Sequence, residues 1–127
     1  MMNTERRKNR RFRPKDPTYV ALRPQFDRLG RLLDISPTGL CFQYMSEARD
    51  RQTAPAVSLE IDIFISSNGY YLPSLPCRLI YNRQVKGSKK LPSGLEDRRC
   101  GLRFGRLVKK QADELNLYIN DYTRNNA

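Results

Sequence analysis

The residues best equipped for chemistry lie in two short segments. The first is Arg6-Arg7-Lys8-Asn9-Arg10-Arg11, with Arg13 close behind, which places six cations within eight positions. All but one are arginine, whose planar guanidinium forms bidentate hydrogen bonds and stacks on flat rings, whereas lysine serves as well for solubility or steering. Such a run suits recognition of an anion; the alternative is a solvated basic tail or a general nucleic-acid arm. The second segment is Asp34-Ile35-Ser36-Pro37-Thr38-Gly39. Asp34 supplies a carboxylate acceptor, Ser36 a hydroxyl that donates or accepts, and Gly39 the backbone freedom for a turn or a close approach. An isolated Asp and Ser ahead of a proline would more simply cap a turn through their own backbone. The arginine run upstream shifts the balance toward a ligand.

Charge distribution agrees with that weighting. The chain has 24 Lys and Arg against 13 Asp and Glu, a formal +11, and no histidine. Ten of those cations and only three acids fall within the first 31 residues, so +7 of the excess is N-terminal. An anionic partner is favoured. The absence of histidine excludes imidazole metal sites, a histidine general base and a Ser-His pair. No paired carboxylates or nucleophile-base pair stand out, so an enzyme is not expected and no metal or catalytic residue is assigned. Gly87 to Gly94 lacks the glycine and lysine spacing of a phosphate-binding loop. Cys41, Cys77 and Cys100 are far apart and odd in number, which suits small buried hydrophobes in a reducing cytosol. The N-terminus turns charged at once, without the apolar run of a signal peptide, and no stretch reaches membrane-spanning length, so a soluble cytoplasmic protein is expected.

With 127 residues and 39% hydrophobic content, one domain must position these segments. Thr18–Leu22 has strand composition between Pro17 and Pro24. Gly30–Ile35 and Leu40–Tyr44 flank the turn formers Ser36 to Gly39 and predict a hairpin. Val57, Leu59, Ile61, Ile63 and Ile65 alternate with mostly polar neighbours, a strand with one buried face. Asn68-Gly69 predicts a tight turn into Tyr70–Leu72 and then Cys77–Tyr81, with Pro73 and Pro76 marking a bend or an edge. Residues 82–98 show no period and read as a long mobile loop before a final strand through Cys100, Leu102 and Phe104. Val108, Ala112, Leu115, Ile119 and Tyr122 recur at helical spacing and predict an amphipathic helix over about 107–124. Tyr70, Tyr71 and Tyr81 read as core or half-buried surface rather than stacking platforms. Six antiparallel strands and a terminal helix make a mainly β protein, a small barrel covered by the helix, over residues 17–127, preceded by a flexible arginine-rich arm at 1–16.

The ordered pair R-R-x-x-x-R and D-x-S-x-x-G, followed by these strands, resembles the PilZ domain, the bacterial receptor for cyclic di-GMP. The strand Arg99-Cys100-Gly101-Leu102-Arg103-Phe104 and the terminal helix are similar to the family's closing elements. The resemblance implies a six-stranded barrel, cyclic di-GMP as ligand, and no cofactor. It assigns the first motif to Arg6, Arg7 and Arg11 and the second to Asp34, Ser36 and Gly39; Arg10, which also fits R-x-x-x-R with Arg6, is an alternative for the first. It further implies that the arm folds over the ligand and alters a surface read by a downstream protein of motility, exopolysaccharide or virulence machinery. The chemistry fits. An arginine fork meets O6 and N7 of guanine or a phosphate, and Asp34 can accept from guanine N1–H and N2–H. Two other functions remain open: a non-specific nucleic-acid-binding barrel, and a member of the family kept only for protein interaction.

Overall fold

The structure is a computed structural model that describes residues 10–23, 28–47, 59–85 and 94–125. Six strands close on themselves: β2 (Tyr19–Arg23), β5 (Leu59–Ile65), β6 (Tyr70–Gln84), β7 (Leu95–Phe104), β4 (Gly39–Glu47) and β3 (Arg28–Ser36), with β3 returning to β2. Every neighbour is antiparallel. Closure removes the exposed edges that an open sheet of this composition would present. Two short strands extend the sheet beyond the barrel: β1 (Phe12–Pro14) pairs with β3 at Phe12↔Ile35 and with β8 (Thr123–Asn125) along its length. The segments before β2 and after α1 therefore meet beside β3.

The apolar positions anticipated from Leu59 to Ile65 are buried, with Ile61 and Ile63 fully so in one cluster with Val20, Phe42, Leu75 and Leu102, but Asp62, expected on the water face, is buried as well where the pairing with β6 shifts register. Val57 and Ser58 lie outside the described residues. The hairpin predicted around Ser36 to Gly39 forms as β3 and β4. One helix, α1 (Lys109–Tyr122), packs Leu115, Tyr118 and Ile119 over the barrel end where β2 and β6 begin. Tyr118, Tyr70 and Tyr122 form a three-ring cluster, with the Tyr118 centroid 5.6 and 5.8 Å from the other two, and the Tyr118 hydroxyl donates to Thr18 Oγ1 at 3.0 Å. Val108, placed on the helix stripe by its spacing, is instead 61% exposed and precedes the first turn. The helix ends two residues short of 124 because Thr123 turns extended to pair with Pro14.

Two expectations need correction. Residues 82–98 are not one long loop: β6 continues to Gln84 and β7 begins at Leu95, paired through Asn82↔Cys100, Arg83↔Arg99 and Gln84↔Arg98. The period was hidden because Glu96 and Arg98 occupy half- to fully buried positions and neutralise each other at 2.6 Å, where a pattern of apolar residues would be expected. Of the bend or edge expected at Pro73 and Pro76, the edge fails, since β6 lies between β5 and β7, and the bend holds. They mark an irregularity: Ser74 between them adopts φ 60°. Its N–H donates to Asp62 Oδ1 at 2.8 Å, and Arg23 Nη2 holds Asp62, Glu60 and the Ser74 hydroxyl together.

The three cysteines are free and buried. Burial pushes the Cys77 and Cys100 thiols up to about 12, so both stay protonated and pack as hydrophobes. Among the described residues no helix is long and apolar enough to cross a membrane.

Candidate ligand-binding site

The β3–β4 hairpin carries the second motif, and a β-bulge sets its geometry. Leu32 pairs with Phe42 but Asp34 with Cys41, so Leu33 is an extra residue that shifts the in-out alternation by one. Ile35 consequently faces the core and Asp34 stays partly exposed. Asp34 meets the arm: Arg11 Nη1 donates to its Oδ1 at 3.0 Å. β1 brings the arm alongside β3: in this antiparallel pair Phe12 lies opposite Ile35, so Arg11 falls level with Ser36 and its side chain reaches diagonally to Asp34. With side chains 47% and 31% exposed, this ion pair is worth at most about 1 kcal/mol, so a ligand can displace it at little cost.

The other motif residues serve the turn. Ser36 is buried, and its Oγ accepts the Thr38 N–H at 3.2 Å and donates to the Gly39 carbonyl at 3.4 Å. Of the roles open to Ser36, bonding to nearby backbone is the one this structure holds. Gly39 has no positive φ; a Cβ there would strike the Leu102 carbonyl oxygen of β7. Its close approach is therefore to a neighbouring strand. Arg10 is exposed one residue before Arg11. Arg6 and Arg7 lie outside the described residues.

Strand pairing extends the site beyond both motifs. Asp34, Cys41, Gly101 and Tyr81 form one transverse row across β3, β4, β7 and β6, and Arg31, Gln43, Arg99 and Arg83 form the next. Gly101 permits this arrangement, since a Cβ there would collide with the Tyr81 ring. The Tyr81 hydroxyl shares a 3.2 Å hydrogen bond with Cys41 Sγ, and the Arg83 guanidinium stacks 4.6 Å from the ring centroid. Burial, followed by the bond to Cys41, pushes the Tyr81 hydroxyl up to about 12; burial also raises the Cys41 thiol. Both are neutral hydrogen-bonding groups at ordinary pH.

Arg13, Lys15, Arg31, Asp34, Gln43 and Arg99 line a groove of about 620 Å³ between this face and the chain following β1. That volume is in the range of nucleotide-sized ligands. The cationic side chains suit phosphate, while Asp34 and Gln43 suit the donor and acceptor edges of a base. Among the described residues no group of three or more Cys, Asp or Glu is placed to hold a metal ion. Sequence reading set Tyr81 aside and did not single out Arg31, Gln43 or Arg99. The signal for the last was present: in Arg99-Cys100-Gly101-Leu102-Arg103, alternation around buried Cys100 and Leu102 puts Arg99 and Arg103 outward.

A family model of the PilZ domain matches residues 5–121. No curated protein sequence matches the chain significantly. Among solved structures, the PilZ domain of YcgR from Escherichia coli, with c-di-GMP, superposes with a TM-score of 0.66 at 17% identity, over 92% of this chain and 91% of that one. At that identity the likeness concerns the fold.

Proposed function

The chain belongs to the PilZ domain family, and from that premise we propose that it is a cyclic di-GMP receptor that signals through a second protein. One observation carries the reading: the 3.0 Å contact of Arg11 with Asp34 brings the arm motif and the turn motif, 23 residues apart, to one rim of the barrel. Arg11 and Asp34 are adjacent to the groove, and both present groups that cyclic di-GMP would use, a guanidinium for phosphate or guanine and a carboxylate for the guanine N1–H and N2–H. Ser36 and Gly39 act by holding the turn that aims Asp34. Arg6, Arg7 and Arg10 supply further forks from the arm.

Ligand entry exchanges the Arg11–Asp34 pair for contacts to the ligand. The arm then moves, and because β1 is hydrogen-bonded to β8, with Lys15 N–H donating to the Tyr122 carbonyl at 2.9 Å, the C-terminal end of α1 shares the change. A downstream protein reading that surface supplies the output. In this reading the protein is a cytoplasmic binding module and not an enzyme.

The test is calorimetric titration of the folded protein at moderate salt with cyclic di-GMP, cyclic di-AMP and GMP. Saturable binding with low-micromolar or tighter affinity for cyclic di-GMP, and much weaker binding of the other two, is expected. Equal heats for all three that fade steeply with salt indicate general polyanion attraction, and a flat titration ends the proposal.

A further inference from the structure

The barrel end opposite α1 is lined by polar side chains from the start of β3, the end of β4, the end of β6 and the start of β7. Most satisfy one another. Asn82 Nδ2 donates to the Tyr44 hydroxyl at 2.8 Å, and Arg98 donates to Glu96 Oε2 at 2.6 Å, to Asn82 Oδ1 at 2.9 Å and to the Asn82 carbonyl at 3.2 Å. Arg28 is different. It is 4% exposed, its Nε and Nη2 have no hydrogen-bond partner, and it makes no ion pair among the described residues. Its guanidinium rests 5.7 Å from the centroid of the Tyr44 ring.

An arginine cannot shed its proton, so a buried guanidinium without an acceptor is among the most unfavourable groups a core can hold. The identity of the unpaired nitrogens is informative. Nε and Nη2 carry the two N–H bonds that run side by side along one edge of the fork, the edge that meets both oxygens of a carboxylate or two oxygens of a phosphate. Arg23 offers a contrast, because its buried Nε is also unpaired but its Nη2 already meets three acceptors. Among the described residues the buried carboxylate of this end, Glu96, is committed to Arg98.

We propose that Arg28 holds a small oxyanion, a phosphate or a carboxylate, in the barrel end away from α1. The site is distinct from the Asp34 rim: Asp34 lies six positions beyond Arg28 in β3, about 20 Å along an extended strand. The anion meets the unpaired edge of the fork and makes the buried cation tolerable. Its binding is coupled to folding of this end, so it acts as a stability ligand.

The test is thermal unfolding at fixed pH and ionic strength while sodium chloride is replaced by sodium phosphate or sodium acetate. Because the whole protein is basic, Arg28→Met is compared with Arg106→Met, which removes the same charge from an exposed position outside the groove. Wild type and Arg106→Met should gain about 3–6 °C at tenfold excess of anion over its dissociation constant, with no gain in Arg28→Met. A gain with phosphate alone identifies a tetrahedral oxyanion and a gain with acetate a carboxylate; both support the site. Equal gains in wild type and Arg28→Met, or none in wild type with either anion, overturn it. Should Arg28→Met fail to fold, the Arg28 Nε–H resonance of the wild-type protein decides: a saturable shift on anion addition supports the site and an unmoved resonance overturns it. No cyclic dinucleotide enters the experiment, so its outcome is independent of the receptor reading.

Discussion

The β3–β4 hairpin has charged residues at both ends, handled in opposite ways. At the turn, Asp34 and Arg11 sit partly in solvent with one weak contact, above a closure made of Leu115, Tyr118 and Ile119 from α1. At the far end, Arg28, Glu96 and Arg98 are buried or nearly so, and their partners decide whether that end is stable. An exposed pair can be exchanged for a ligand because water screens both halves of the exchange. A buried charge cannot be left alone, and so it reports a partner that must be present. The same strands thus offer a rim suited to switching and an interior suited to permanent occupancy.

Substitutions can break this contrast, and the largest effects belong to the buried end. Arg98→Met should destabilise by about 3–5 kcal/mol in denaturant unfolding, because Glu96 is left as an uncompensated buried carboxylate. A loss below 1 kcal/mol would show that water reaches Glu96 and that the end is open. Tyr118→Ala should cost about 3–5 kcal/mol at the apolar closure, whereas Tyr118→Phe, which loses only the bond to Thr18, should cost about 1 kcal/mol.

A pH series sharpens the comparison. Burial raises Tyr118 and Tyr70 to about 12, against an ordinary tyrosine near 10. The folded state holds these protons more tightly than the unfolded chain, so their contribution is fully present below pH 10 and is lost as pH rises toward about 12. Melting temperature should fall across that interval, and less steeply in Tyr118→Phe. Smallest of all, Arg11→Ala and Asp34→Ala should each change stability by no more than about 1 kcal/mol. A larger loss would make the pair a structural element and not an exchangeable one.

Legibility in the sequence followed the same division. The strand from Leu59 to Ile65, the β3–β4 hairpin and most of the helix were readable because their buried faces are apolar and periodic. The continuation of β6 and β7 was not, since Glu96 and Arg98 fill buried positions with a mutual ion pair that no periodicity announces. β1 and β8 are three residues each and exist through pairing between the segments before β2 and after α1, a relation local sequence does not contain. At the proposed site, the motifs pointed to Asp34 and Arg11, which lie 3.0 Å apart. The bulge that aims Asp34 and the pairing that sets Tyr81 and Arg99 on the same face emerge only from register. Tyr118 was missed because its spacing places it beside the apparent stripe, where it fills the gap between Tyr70 and Thr18.

If arm and turn form one ligand site, a double-mutant cycle on cyclic di-GMP binding detects their coupling. Calorimetry of wild type, Arg11→Ala, Asp34→Ala and the double variant should show each single substitution weakening binding by about thirtyfold or more. The double should cost less than the product of the two, with all four proteins folded. Wild-type protein that is folded yet silent toward cyclic di-GMP, or single variants that bind as tightly as wild type, would mean that arm and turn do not share a ligand.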